Sequence, residues 1–259
     1  MPKFAANLTM LFTEYDFLDR FERAAKAGFR GVEYLFPYPY KVEDLVQRLQ
    51  ANDLKQVLHN LPAGDWGAGE RGIACMPDRV GEFRDGVGKA IEYATALKCP
   101  LVNCLAGIVP AGVEQTKLHD TFVGNIKYAA DELKKHDIKL LIEPINTIDI
   151  PGFYLTRTKQ AIDLIDQTGS DNIFVQYDVY HMQIMEGDLA RTVEKNLSRI
   201  AHIQLADNPG RNEPGTGEIN YPFLFGHFDR IGYDGWIGCE YKPKAGTVPV
   251  LQWRSAYKL

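Results

Sequence analysis

The feature that most constrains the fold is a regular alternation of short apolar runs with longer amphipathic segments along the 259 residues. The short runs carry Val, Ile and Leu on both faces, which is typical of strands buried in a parallel sheet. They predict eight strands, at residues 3–9, 31–36, 54–60, 100–106, 139–145, 173–179, 200–206 and 235–241. Helices are predicted between them, at 16–27, 42–52, 79–97, 115–136, 158–168, 188–197 and 222–231.

Eight strands alternating with helices in about 250 residues favour a closed (β/α)8 TIM barrel over a doubly wound open sheet. The first predicted strand is not followed by Gly-x-Gly-x-x-Gly, which disfavours a dinucleotide-binding fold. No segment rich in Pro, Gly or Ser divides the chain, so we expect one α/β domain over residues 1–259. Two long loops, 61–78 and 207–221, are expected to cover the catalytic end of the barrel. Glycines in the first loop would permit lid motion.

The composition narrows the classes of partner. The net charge of −5 disfavours nucleic acid as a partner. The N-terminal residues lack the pattern of a secretory signal, and no apolar run approaches the roughly 18 residues of a membrane span, so no membrane association is expected. Four cysteines, none in a Cys-x-x-Cys pair, favour buried thiols in a reducing compartment. The expected location is the cytoplasm.

Polar side chains end the last four predicted strands, where a (β/α)8 barrel places its chemistry. They are Glu143, Asp178, Gln204 and Glu240. Each follows an apolar stretch, where a charge is costly unless it is paired or bound to a metal. A single acidic residue at such a position commonly caps a helix or bonds a loop, but four polar residues on consecutive strands favour one shared site.

Oxygen ligands of this kind suit a hard divalent cation such as Mg²⁺ or Mn²⁺. Three carboxylates and one amide oxygen would leave about two octahedral positions for adjacent carbonyl and hydroxyl oxygens of a substrate. His202 has the same strand parity as Gln204, so both are expected to face the barrel interior. For His202 we prefer packing, or support of another ligand, to direct metal binding.

The chain resembles the hydroxypyruvate isomerase family, within the xylose isomerase-like barrel superfamily. The resemblance follows matched blocks in order along most of the chain: FAANLTMLFTE, GFRGVEYLFPY, AGIVPAG, IEP, YDVYHMQIMEGDL, AHIQLAD, GEINYPFLF and GYDGWIGCEYKP. It implies that Glu143, Asp178, Gln204 and Glu240 are metal ligands. Relatives often carry His where Gln204 stands, and a Gln oxygen should reduce the preference for softer metals.

The resemblance also implies a reaction, the interconversion of an α-hydroxy ketone and an α-hydroxy aldehyde. A metal polarises the carbonyl and holds the neighbouring hydroxyl group, and carboxylates move a proton between the two carbons through an enediol. Glu143 and Glu240 are the expected acid and base, in an order that the sequence leaves open. For hydroxypyruvate the product would be tartronate semialdehyde.

Four further residues are candidates for substrate binding. The resemblance implies that His181 contacts a substrate hydroxyl or carbonyl, unless it only orients another residue. It also implies that Arg211 grips a carboxylate, the alternative being a solvated loop charge. Lys242, just past the eighth strand, is an alternative carboxylate partner or a rim charge. His59 closes the third strand and is expected to line the pocket or to serve as a cap, and Glu33 is equally ambiguous.

Several other functions fit parts of the pattern. The same residues could isomerise 2-oxotetronate and 3-oxotetronate, or epimerise a ketose at C3. A metal-dependent endonuclease would need more histidines at the strand ends and a basic surface. A non-catalytic barrel that binds sugar acids would not need two facing glutamates. The expected partner is therefore a small keto or hydroxy acid, and self-association into a homo-oligomer is left open.

Overall fold

The computed structural model describes residues 2–257, and their side chains as far as residue 255. Its strands form one closed parallel barrel in chain order, in which the last strand pairs with the first. The strands are β1 (Lys3–Asn7), β2 (Gly31–Glu33), β3 (Lys55–Asn60), β4 (Leu101–Cys104), β5 (Lys139–Ile142), β6 (Ile173–Asp178), β7 (Ile200–Leu205) and β8 (Trp236–Cys239). The predicted TIM barrel is confirmed.

The helices surround the barrel, and each predicted helix is present. They are α1 (Arg20–Lys26), α2 (Val42–Ala51), α3 (Val80–Leu97), α4 (Gln115–Lys134), α5 (Thr158–Thr168), α6 (Val179–Met185), α7 (Leu189–Lys195) and α8 (Tyr221–Arg230). Within residues 2–257, no helix combines the length and the apolar character that crossing a bilayer requires.

Helix α6 was not predicted, and neither was the 3-10 helix Val248–Tyr257 near the end of the chain. Seven residues span only about two turns, which is too few for a helical period to stand out. The first residue of α6 also reads as the end of the preceding apolar strand. The structure starts this helix immediately after Asp178, whose Oδ1 accepts a hydrogen bond from the backbone N–H of Tyr180 at 2.8 Å.

All of the predicted strands except the third extend beyond the observed ones at their carboxyl ends. Glu143 follows the end of β5 and Glu240 follows the end of β8, so both lie where the chain leaves the sheet. The apolar runs continue into these connections because the first residues of each loop are still buried. Periodicity therefore located the strands but did not locate their ends.

The barrel interior is apolar at one end and polar at the other. A small cluster of Ala5, Val57, Leu58, Leu101 and Leu141 packs with Phe174, Ala201 and Trp236. Most of the larger core lies between the strands and the helices. Towards the carboxyl ends the buried side chains become polar: Asn7, Glu33, Asn60, Asn103, Glu143, Gln176, Asp178, His202, Gln204 and Glu240. This polar set therefore lies above an apolar layer of the barrel interior.

Trp236 requires a glycine beside it. A Cβ on Gly31 would lie 2.7 Å from Cζ3 of the Trp236 ring. Gly31→Ala should therefore lower the free energy of unfolding by about 1–3 kcal/mol, as overpacked sites do, when urea midpoints are compared. Gly124→Ala is the control, because its Cβ would meet open space on α4. The control should be neutral or stabilising by up to about 1 kcal/mol, and a similar loss in both variants would contradict the steric account.

Candidate active site

A cavity of about 420 Å³ opens at the carboxyl ends of the strands. Its inner wall includes Glu143, Gln204 and Glu240, which are buried. Its outer wall includes the more exposed Trp66 and Lys242. The cavity therefore runs from a buried polar floor to an open mouth, which is the usual position of a barrel active site.

The floor gathers four potential metal ligands. One ligand atom from each of Glu143, Asp178, His181 and Glu240 lies within 4.8 Å of the others. His181 Nε2 is 3.6 Å from Asp178 Oδ2 and 3.9 Å from Glu143 Oε1. The ends of β5, β6 and β8 supply the carboxylates, and α6 supplies the imidazole. This buried cluster could hold a metal ion.

Two asparagines fix the glutamates of this cluster. Asn103 Nδ2 donates to Glu143 Oε2 at 3.0 Å, and Asn7 Nδ2 donates to Glu240 Oε1 at 3.2 Å. Asp178 Oδ2 is different, because this buried oxygen has no hydrogen-bond partner among the described residues. A buried carboxylate oxygen without a donor is costly, and coordination to a cation would satisfy it.

Burial raises the pKa of all three carboxyls. The pKa of Glu143 lies well above its ordinary value because of burial and the charges of Glu240 and Asp178. Burial raises the pKa of Asp178 as well, against the opposing charge of Arg211. Burial, opposed again by Arg211, raises the pKa of Glu240 to about 8. A positive charge at the centre would favour ionisation of all three groups together.

Arg211 supplies one such charge from the loop after β7. Its Nη2 lies 2.6 Å from Glu240 Oε2 and 3.8 Å from Asp178 Oδ2, and its Nη1 lies 3.4 Å from Asp149 Oδ2. The Arg211 backbone has a φ of +52°, and its carbonyl accepts a hydrogen bond from the Lys242 N–H at 2.7 Å. The structure thus brings Arg211 to the cluster, with its guanidinium paired to protein carboxylates.

Gln204 belongs to a hydrogen-bonded network centred on Glu33. Gln204 Nε2 donates to Glu33 Oε1 at 2.8 Å, and Gln204 Oε1 accepts from Gln176 Nε2 at 2.6 Å. His202 Nε2 lies 2.7 Å from Glu33 Oε2, so His202 supports Glu33. The Gln204 carbonyl oxygen uses one lone pair here and keeps the second for another partner. Sequence reasoning left Glu33 ambiguous because its partners are distant in the chain.

Asn146 determines which nitrogen of His181 carries the proton. Asn146 Oδ1 accepts from the backbone N–H groups of Ile148 and Asp149, at 3.0 and 2.8 Å, so its Nδ2 faces His181 Nδ1 at 2.6 Å. His181 Nδ1 is therefore the acceptor, and Nε2 carries the hydrogen towards the carboxylates. Burial and the charge of Arg211 hold the pKa of His181 well below its ordinary value. Neutral His181 is a hydrogen-bond donor into the cavity, which disfavours it as a metal ligand.

The structure separates the remaining two substrate-binding candidates. Lys242 lines the cavity and is exposed. His59 lies between the cavity-lining residues Leu58 and Asn60, and strand alternation turns it to the other face. There its Nδ1 contacts the Asn60 carbonyl at 3.1 Å and the Tyr38 hydroxyl at 3.5 Å, and burial lowers the pKa of His59 to about 4. His59 therefore lies outside the cavity lining, and the prediction that it lines the pocket is wrong.

Comparison with known proteins identifies the family of this chain. The model of the xylose isomerase-like TIM barrel family matches residues 21–257. The chain belongs to that family. It is 57% identical, over 100% of both chains, to a hydroxypyruvate isomerase of Escherichia coli (strain K12). It is 46% identical to a 2-oxo-tetronate isomerase of Cupriavidus necator, over 99% of both chains. The resemblance to the hydroxypyruvate isomerase family and the prediction of an isomerase are confirmed.

A solved structure from the family superposes closely. A Brucella melitensis protein described as an AP endonuclease, family 2, has a TM-score of 0.97 and 46% identity, over 99% of both chains. The activity named in that description is said of the Brucella protein and not of this chain. In the present chain, the histidine-rich strand ends and the basic charge balance expected of such a nuclease are not seen in the sequence.

The pKa of Glu240 predicts how stability depends on pH in EDTA-treated protein. A carboxyl with a raised pKa binds more protons folded than unfolded. Its contribution to stability is complete below about pH 4.5 and is lost as the pH rises through about 8. Urea titrations between about pH 5 and 9 should show the free energy of unfolding falling. Glu240→Gln should flatten this slope, whereas Glu43→Gln, at an exposed site on α2, should not. Equal slopes in all three proteins would contradict the assignment.

Proposed function

We propose that this protein converts hydroxypyruvate into tartronate semialdehyde (2-hydroxy-3-oxopropanoate). The observation that carries the proposal is the pair of buried glutamates, Glu143 and Glu240, which line the floor of the cavity and form one cluster with Asp178. Two carboxyl groups on the floor of one cavity suit a reaction in which one carbon atom loses a proton and the adjacent carbon atom gains one. The 57% identity to the Escherichia coli hydroxypyruvate isomerase supports the choice of substrate.

The proposed cofactor is Mg²⁺ or Mn²⁺, held by Glu143, Asp178, Gln204 and Glu240. The donor set is entirely oxygen, which suits a hard cation. The unpartnered Asp178 Oδ2 and the raised pKa values of the three carboxyls support a cation at this position. Such an ion, when bound, polarises a carbonyl group and acidifies the adjacent C–H bond.

The residues of the chain carry the proton steps. One glutamate, which enters ionised, removes a proton from C3 of hydroxypyruvate, and the electrons of that C–H bond form the C2–C3 double bond of an enediolate as the C2 oxygen takes up the proton released by the C3 hydroxyl. The other glutamate, which enters protonated, delivers its proton to C2 as the C3 oxygen becomes the aldehyde carbonyl, so the two glutamates exchange protonation states. No atoms are gained or lost overall. His181 Nε2–H faces the same region and is placed to hydrogen-bond a substrate oxygen.

We place the substrate carboxylate towards the mouth, away from the carboxylates of the floor. Arg211 and Lys242 both line the cavity and carry positive charge. Arg211 bridges Glu240 and Asp149, so its first contribution is to offset the negative charge of the floor. The proposed substrate is a small keto or hydroxy acid.

The four cysteines favour a reducing compartment, and we propose the cytoplasm. Cys75, Cys99, Cys104 and Cys239 are all buried and unpaired. Burial raises the pKa of each thiol. They are therefore protonated packing residues with little thiolate character.

Replacing either glutamate tests the proposed chemistry. Glu143→Gln and Glu240→Gln keep the size of the side chain but remove its ability to accept a proton. We expect kcat to fall by about 10²–10⁴-fold, the usual contribution of general acid–base catalysis. Glu43→Gln is the control and should retain full activity. Near-normal turnover by either site variant, in a folded protein, would contradict that residue's role.

Proton NMR in D₂O tests the substrate and the metal together. Metal-loaded protein should convert hydroxypyruvate to tartronate semialdehyde, and the new C–H bond should carry solvent deuterium when the proton exchanges on the enzyme. EDTA treatment should abolish turnover, and Mg²⁺ or Mn²⁺ should restore it. A parallel sample with four-carbon 2-oxo acids addresses the function named for the Cupriavidus relative. Turnover of those acids alone would keep the mechanism and replace the substrate.

A further inference from the structure

A third cation lines the cavity on the opposite long loop. Arg71 belongs to the loop 61–78 after β3, whereas Arg211 belongs to the loop after β7. We infer that Arg71 binds the carboxylate of the substrate and so selects keto acids over neutral sugars. This inference rests on the proposed function for the identity of the substrate, and on the geometry of the loop for the identity of the residue.

Arg71 is held rigidly, but not by a carboxylate. Its guanidinium carbon lies 4.1 Å from the centre of the Trp66 ring. Its Nη1 donates to the carbonyls of Trp66 and Glu70, at 3.1 and 2.7 Å. Trp66 in turn packs edge-on against Phe36, with ring centres 5.1 Å apart. Stacking and carbonyl contacts fix the plane of a guanidinium while leaving its charge uncompensated.

The loop that carries Arg71 is internally bonded. Glu70 receives hydrogen bonds from the Asp65 N–H and from Arg79, and the Glu70 N–H donates to the Asp65 carbonyl at 3.0 Å. The Gly72 N–H donates to the Ala63 carbonyl at 3.0 Å. These bonds join the two sides of the loop just before and just after Trp66 and Arg71. The cation is therefore preorganised at the wall, which reduces the entropy lost when an anion binds.

The charges around the cavity distinguish Arg71 from Arg211. Arg211 lies within 4 Å of three carboxylates. Among the described residues, Arg71 has no carboxylate partner. Its Nε and Nη2 atoms also make no hydrogen bond to any described residue. The floor holds the carboxyl groups of Glu143 and Glu240. A ligand with a hydroxy ketone at one end and a carboxylate at the other would match this arrangement, because the neutral hydroxy ketone would face the acidic floor and the carboxylate would face the Arg71 cation.

A binding measurement isolates this role from turnover. D-Glycerate has three carbons and a carboxylate but no carbonyl to isomerise, so calorimetric titration reports its affinity alone. Arg71→Gln keeps a donor for the loop carbonyls and removes the charge, and should raise the Kd for D-glycerate by about 10- to 100-fold, as loss of a charged hydrogen bond does. Arg71→Lys should recover part of this loss. Arg84→Gln is the matched control, since Arg84 stacks on Tyr128 at 4.8 Å outside the cavity, and should bind normally.

Kinetics then separate a binding role from a structural one. With hydroxypyruvate, Arg71→Gln should raise KM by a similar factor and change kcat by less than about threefold. Unchanged D-glycerate affinity in Arg71→Gln, or no binding by the unsubstituted protein, would overturn the inference, as would an equal loss in Arg71→Lys. Absence of turnover together with Arg71-dependent binding would instead reject the proposed reaction and retain the carboxylate site.

Discussion

The structure depends on one constraint, the burial of three carboxylates within a few ångströms of each other. Glu143, Asp178 and Glu240 each have a raised pKa because they are withdrawn from water. Such a set is stable only if donors and cations surround it. The asparagines on β1 and β4 and the guanidinium of Arg211 meet part of that need. A bound divalent cation would meet the rest.

The barrel can hold these buried carboxylates in place because side-chain packing fixes the positions of its strands. The strands bury apolar side chains against the helices on one face and present polar side chains inward at the carboxyl end. Neighbouring strands hold their registers through the backbone, so Asp178 lies opposite Gln204, and Gln204 opposite Gly238. Gly238 leaves room for Glu33, whose carboxylate oxygens would lie 2.3 and 2.4 Å from a Cβ at that position. A larger residue at position 238 would therefore occupy the space that the Glu33 side chain fills.

Hydrogen bonds also assign roles that residue type alone leaves open. His181 and Gln204 both carry an atom that could bind a metal ion, and both line this site. The Asn146 amide places the imidazole proton on the cavity side, which makes His181 a donor. Glu33 accepts a hydrogen bond from the Gln204 amide nitrogen, so the amide oxygen of Gln204 faces other partners. Similarly, the Arg211 guanidinium forms ion pairs with protein carboxylates, whereas the Arg71 guanidinium stacks on the neutral ring of Trp66.

The barrel, its strand order and the acidic residues at the strand ends could all be predicted from the sequence alone, because they follow from local periodicity and from the rule that parallel strands finish at one edge. The sequence also identified the family through ordered blocks. It could not determine that Glu33 contacts His202, that His59 turns away from the cavity, or that Arg71 faces the same space as Arg211. Those facts depend on side-chain direction and on contacts between loops far apart in the chain. Only tertiary packing sets such contacts, since no local pattern encodes which distant group will satisfy a buried charge.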